Sequence, residues 1–280
     1  MKPNIRQLFV EASGNFRRII RNADYQDGEP LCLNDVWRSL KNCPPFTGVV
    51  GDAELLAGLM DGIFIIDPFE RELLGSSSYD VRLGGNYWET EVVGHNIDLS
   101  PYDEGSVRRY YKGPKKAMTH AEWCKKYKRH LFEGIGEDEL IIVLRPGECI
   151  LAHTIEFIGA AYGATTMMKA KSSLGRINIS ACDDAGWGDV GYINRWTMEI
   201  RNKNQNVWVP LVVGMPIAQL VFFWVAGSTI NYGDTGHYQS GVDLEKIREE
   251  WNADSMLPRF FSDKNRRIRR LLLSNPELVF

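Results

Sequence analysis

A mainly β fold, a sandwich or a barrel, is predicted for the middle of this chain, residues 51–240. Three observations carry that reading. Short β-rich runs recur at 139–144, 149–158, 196–201, 207–213 and 216–225. Gly, Pro and Asn punctuate them, as in the turn-like Arg145-Pro146-Gly147-Glu148. The 280 residues are 44% hydrophobic and 25% charged, close to the globular average, so a substantial core can form without disulfide or metal staples.

Residues 1–50 read as an N-terminal extension with its own helix. Ile5, Leu8, Phe9, Phe16, Ile19 and Ile20 recur at roughly helical spacing, with Arg6, Arg17, Arg18 and Arg21 between them. Asn42-Cys43-Pro44-Pro45 closes that stretch, because consecutive prolines cannot continue a helix. Within the β region, residues 102–128 are charged and aromatic and read as an insertion carrying a short helix. After 241 the helical pattern returns: Leu244, Ile247 and Trp251 share a face, and Glu245, Lys246, Arg248, Glu249 and Glu250 are polar. A basic tail, Arg266, Arg267, Arg269 and Arg270, precedes Leu271, Leu272 and Leu273. No internal repeat or low-complexity tract is present.

The charge balance, 33 Lys and Arg against 36 Asp and Glu, argues against a general nucleic-acid binder but allows a local basic pocket for phosphates. No apolar run approaches the ~18 residues of a membrane span. The opening MKPNIRQLFV lacks the apolar core of a secretory signal. Five cysteines, Cys32, Cys43, Cys124, Cys149 and Cys182, form no C-x-x-C pair. Reduced thiols and a cytoplasmic location are expected.

Reactive and phosphate-friendly residues are densest between 171 and 199. Lys171-Ser172-Ser173-Leu174-Gly175-Arg176 combines two cations, two hydroxyls and a glycine. Hydroxyls and backbone N–H groups at a helical turn suit an anion, and Lys171 and Arg176 supply charge-assisted contacts to phosphate oxygens. Serines at such a place also serve simply as caps. Asp189, Gly191-Tyr192 and Glu199 follow. Glu199 falls in a partly buried run, where burial raises a carboxyl pKa toward general acid–base work. An outward-facing strand glutamate fits the same pattern.

Taken together, K-S-S-L-G-R, A-G-W-G-D-V-G-Y and T-M-E-I resemble the dCTP deaminase branch of the dUTPase superfamily. The resemblance extends to Ser78-Tyr79-Asp80-Val81-Arg82-Leu83-Gly84, Pro146-Gly147-Glu148, Gly214-Met215-Pro216-Ile217-Ala218-Gln219-Leu220 and Gly236-His237-Tyr238-Gln239. It implies a dUTPase-like distorted β-barrel or jelly-roll core with helical N- and C-terminal extensions. Glu199 falls at the position of the general base that activates water against C4 of cytosine. Ser172 and Arg176 match the serine and arginine reaching into that site, and Ala185 the alanine near the ring. Tyr192 matches the aromatic residue against deoxyribose. Tyr232, His237, Tyr238 and Gln239 fall in the tail closing over the nucleotide, and Lys171, Ser173 and Gln219 are substrate-binding candidates. The resemblance further implies a homotrimer with sites between subunits, a deoxycytidine triphosphate or related nucleotide as substrate, and Mg²⁺ with the triphosphate.

This sequence departs from the family pattern at four positions. Lys171 stands for arginine, keeping charge but losing bidentate geometry. Asp184 stands for a threonine-like residue, Asn194 for glycine and His237 for lysine. A zinc site is not expected. Zinc deaminases use H-x-E with P-C-x-x-C, whereas His153-Thr154-Ile155-Glu156 has the wrong spacing and no cysteine pair follows. Deamination of dCTP to dUTP and ammonia is therefore the first expectation. Asp189, at the position where the superfamily's diphosphatases orient water at the α-phosphate, leaves dUTP hydrolysis or a bifunctional enzyme open. A non-catalytic nucleotide-binding regulatory trimer is the third reading.

Overall fold

The computed structural model describes residues 48–90, 98–183, 185–225 and 228–262. The expected N-terminal helix, Asp184 and the basic tail from Arg266 lie outside the described residues. Described strands are β1 (Phe64–Asp67), β2 (Tyr79–Thr90), β3 (Tyr111–Lys116), β4 (Met118–Thr119), β5 (Leu140–Leu144) and β6 (Cys149–Ala160). They continue with β7 (Ala164–Ala170), β8 (Ile179–Ala181), β9 (Trp187–Gly188), β10 (Ile193–Asn202), β11 (Val209–Val212) and β12 (Pro216–Trp224). All of their pairings are antiparallel. The larger sheet runs β8-β10-β6-β2-β12-β7-β9, with β1 added on β6 and β3 on β2, and β11-β5-β4 form a smaller one. The mainly β expectation holds.

The sheet curls because β2 serves two neighbours. Tyr79 to Arg82 pairs with β12, and Leu83 to Glu89 pairs with β6, with a register shift between Leu83 and Tyr87. Gly84 sits at the change-over. A Cβ there would lie 2.1 Å from the imidazole of His153, so only glycine lets the two strands approach. The core inside the curl includes Tyr79, Phe64, Ile158, Met168, Trp196, Met198, Ile200 and Phe222. Phe64 and Phe222 meet edge to face at 5.0 Å.

Two expectations need correction. Asp52–Met60, assigned to the β region, is a helix (α1) that buries Leu55 and Ala57, with Asp52 and Glu54 favourably placed in its first turn. The 102–128 insertion holds two helices, α2 (Glu104–Tyr110) and α3 (His120–Tyr127), with β3 and β4 between them. A Thr119–Glu122 capping box starts α3. The one-turn helices α4 (Ser172–Gly175) and α5 (Tyr232–Thr235) precede α6 (Leu244–Glu250). Ile247 of α6 packs on Phe157, Ala161 and Ile193, with Trp251 alongside, as the apolar face required. Beyond it, Met256 and Leu257 pack on Trp88 and Leu151. No helix among the described residues is long and apolar enough to cross a membrane.

Candidate active site

Strand β10 alternates cleanly at its centre. Trp196, Met198 and Ile200 enter the core, while Arg195, Thr197 and Glu199 are half-buried on the opposite face. Cross-strand pairing fixes that face: Arg195 lies opposite Phe157, Thr197 opposite His153 and Glu199 opposite Leu151 of β6. Glu199 is further anchored through its carbonyl, which accepts from the Cys182 N–H at 3.1 Å.

Above this face lies a cavity of about 380 Å³. It brings together six of the expected site residues: Ala185, Asp189, Tyr192, Glu199, Tyr232 and Tyr238. Asp189 is exposed at its rim, whereas Glu199 is half-buried. The Asp189–Tyr192 turn is closed by the Tyr192 N–H donating to the Asp189 carbonyl at 2.9 Å. Gly191 adopts φ +94°, and a Cβ there would strike the Asn231 side chain, so this turn depends on glycine. The Tyr192 ring meets Trp196 at 5.2 Å and Tyr232 at 5.1 Å, both edge to face. Burial raises the phenol pKa of Tyr192 and of Tyr232, so both remain neutral donors at physiological pH.

His237 and Gln239 line an adjoining cavity of about 310 Å³, which shares Asn194, Tyr238, Trp251 and Ser255 with the first. The Gln239 amide is engaged with backbone. Its Nε2 donates to the carbonyls of Gly191 and Gly241, and its Oε1 accepts from the Ile193 N–H. Gln239 thus braces the Tyr192 turn. Arg259 holds this end as well, through its N–H to the Tyr238 hydroxyl at 2.9 Å and Nη1 to the His237 carbonyl at 2.7 Å.

The remaining expected residues, Lys171, Ser172, Ser173, Arg176 and Gln219, are not among those lining the Glu199 cavity. Ser172 and Ser173 open α4 and, with Arg176, are exposed. Lys171, not a serine, occupies the N-cap, and no side-chain cap bond forms there, so the simple capping role does not account for the two hydroxyls. Lys171 forms an ion pair with Asp80, whose other oxygen accepts from Gln219 Nε2 at 3.0 Å. These groups form a second polar surface on the same chain.

Among the contributors to the Glu199 cavity that sequence reasoning missed are Arg195, Tyr111 from the insertion and Trp251 from the C-terminal segment. The alternation of Arg195, Thr197 and Glu199 was the available signal for the first; nothing local marks the others. The Arg195 guanidinium lies 4.9 Å from the centre of the Phe157 ring and 4.6 Å from that of Trp251. Among the described residues it has no carboxylate within ion-pair distance, and its Nε is buried without a hydrogen-bond partner. Glu156, fully buried, is instead held by Arg82, through the backbone N–H at 2.9 Å and Nε at 2.6 Å. Among the described residues, no group of three or more His, Cys, Asp or Glu side chains converges as a metal cage.

Residues 49–225 match the family model described as dCTP deaminase-like. The chain is 31% identical over 176 residues to "dCTP deaminase, dUMP-forming" of Methanosphaerula palustris, covering 62% of this chain and 80% of that protein. It is 30% identical over 186 residues to the protein of the same name from Tropheryma whipplei, covering 66% and 83%. Among solved structures, 2'-deoxycytidine 5'-triphosphate deaminase from Agrobacterium tumefaciens aligns with TM-score 0.45 and 14% identity, over 64% of this chain and 49% of that one. The extent of the family match and the relatives that share it make this chain a member of the dCTP deaminase-like family, an enzyme of hydrolase type.

Proposed function

We propose that this protein deaminates dCTP and hydrolyses the resulting dUTP to dUMP. The observation that carries this reading is the presence of Glu199 and Asp189 in one cavity, the first half-buried and the second exposed at the rim. C4 of the base and the α-phosphate lie at opposite ends of a nucleotide, so each reaction needs its own water-orienting carboxylate. Relatives at about 30% identity bear the name dUMP-forming, which supports the second step.

Glu199 takes a proton from water as the oxygen bonds to C4, without a zinc-bound hydroxide. Tyr192 packs on deoxyribose, and the edge-to-face tyrosines narrow the space beside it. Ammonia leaves and the C4 carbonyl forms. Asp189 then orients a second water at the α-phosphate, and diphosphate departs. Mg²⁺ would travel with the triphosphate, whose oxygens complete a shell that one or two carboxylates such as Asp189 can join.

We also infer a homotrimer in which Ser172 and Arg176 of one subunit complete the Glu199 cavity of another. The exposed, cationic α4 turn and the 59% exposed Trp187 at the cavity wall support it. Incubation with dCTP and magnesium, resolving dUTP, dUMP and ammonia by chromatography, tests the reading. Ammonia and dUMP in equal amounts are expected. Stable accumulation of dUTP would remove the second step, and no ammonia would remove the first.

A further inference from the structure

Among the described residues, Arg195 is the one cation lining the Glu199 cavity, and the mechanism above leaves it unused. Its Nε is buried without a hydrogen-bond partner, which is costly. The guanidinium is partly desolvated against Phe157 and Trp251, and burial lowers its pKa. The aromatic faces compensate its charge in part. The two rings stand at 86° with centres 6.5 Å apart, so they meet the guanidinium from adjacent directions and do not enclose it. Asp189 and Glu199 line the same cavity but neither is within ion-pair distance of it; buried Glu156 opposes the lowering of its pKa by charge alone, its oxygens being bonded to Arg82. Arg195 is also deep: it shares the half-buried face of β10 with Glu199, whereas Asp189 is exposed at the rim. That depth favours the ring end of a nucleotide over its phosphate end.

We propose that Arg195 is a specificity-determining residue whose guanidinium edge donates to the C2 carbonyl oxygen of the pyrimidine. The inference rests on the deaminase reading above. A ring lying along β10 with C4 at Glu199 turns its C2 carbonyl toward the Arg195 end of the strand. The contact also helps the reaction. As the water oxygen bonds to C4, the C4–N3 π pair moves onto N3 and is shared with O2, while Glu199 accepts a proton. The C4–N4 bond then breaks, the C4 carbonyl forms, and the two water protons end on N3 and on the departing ammonia. A cation at O2 stabilises the electron pair as it arrives. Trp251, beyond the family-matched residues 49–225, holds that cation in place.

The test compares dCTP with 2-thio-dCTP, whose sulfur is a weaker acceptor at that position, in wild type, Arg195→Met and Arg195→Lys. Loss of a charge-assisted contact corresponds to roughly a 10-fold or larger change, so wild-type kcat/KM is expected to favour dCTP by that factor over the preference shown by Arg195→Met. Arg195→Lys is expected to lie between them. A guanidinium that only supports the fold would lower both substrates together, so an unchanged preference in both variants overturns the proposal. If Arg195→Met melts early, the Arg195→Lys comparison decides alone by the same criterion. If wild type releases no ammonia from dCTP, the deaminase reading fails on its own. The ratio of dissociation constants for the two nucleotides, read by tryptophan fluorescence, then takes the place of kcat/KM with the same two outcomes.

Discussion

At the scale of single residues, Glu199 shows how a strand separates structure from chemistry. Its backbone is fixed by pairing with Leu151 and by the Cys182 N–H, and Met198 and Ile200 on either side are fully buried. Replacing the carboxylate by an amide of the same shape alters neither of these backbone contacts. Glu199→Gln is therefore expected to melt within a degree or two of wild type and to retain nucleotide binding. Ammonia release should fall by about 10²–10⁴-fold, the usual share of a general base. Near-normal turnover in a single-turnover assay would remove Glu199 from the proton transfer. Asp189 makes the complementary case. Its carbonyl closes the turn while its exposed carboxylate does not, so Asp189→Asn should keep the turn and accumulate dUTP from dCTP. Continued dUMP formation by that variant would reduce Asp189 to a turn residue. Sequence marked both residues because their neighbours form contiguous motifs. Arg195 escaped because its partners, Phe157 and Trp251, are remote in sequence and come together only in the fold.

At the scale of elements, legibility followed how each segment is buried. β6 and β12 were readable because long apolar, β-rich runs are embedded in the sheet interior. β2 was not read as a strand, since Asp80, Arg82 and the Gly84-Gly85 pair interrupt its apolar pattern. Those interruptions are the bend itself: Gly84 admits His153, and Arg82 reaches Glu156. α1 was missed because nine residues hold too few turns to show a helical period against flanking β signals. The β2–β6 junction has a measurable pH signature. His153 is buried, its Nδ1 lies 2.8 Å from the Thr154 carbonyl, and its Nε2 accepts from the Asn86 N–H at 3.3 Å, which assigns the proton to Nδ1. Burial, the larger effect, lowers its pKa from 6.5 to about 4. The unfolded chain thus binds a proton that the folded protein refuses between those values. The His153 contribution is complete above about pH 6.5 and declines as pH falls toward 4, by about 1.4 kcal/mol per pH unit within the window. Urea midpoints at pH 7, 5.5 and 4.5 should fall more steeply in wild type than in His153→Gln. Parallel slopes would show that His153 titrates normally.

At the scale of the whole molecule, the residues expected to share one site are distributed over two surfaces of the chain. Ala185, Asp189, Tyr192, Glu199, Tyr232 and Tyr238 line a cavity, while Ser172, Ser173 and Arg176 stand exposed on and beside α4. A sequence motif records which residue types a reaction needs, and it is silent about which copy of the chain supplies each one. The homotrimer proposed above divides the site between copies: β10, which carries Glu199, is paired on both sides by β6 and β8, and the exposed α4 turn lies between β7 and β8 in the chain. That division predicts rescue between two inactive proteins. Glu199→Gln retains Ser172 and Arg176, and Arg176→Ala retains Glu199, so each is expected to be nearly inactive alone. Unfolded together and refolded as a mixture, equal amounts of the two should associate at random. In a closed ring of three, about one site in four would then pair an intact Glu199 with an intact Arg176 from the neighbouring copy. Ammonia release near a quarter of the wild-type rate is therefore expected, together with a trimer mass in sedimentation. A mixture no more active than the two variants measured separately would mean that each site draws all its groups from one chain.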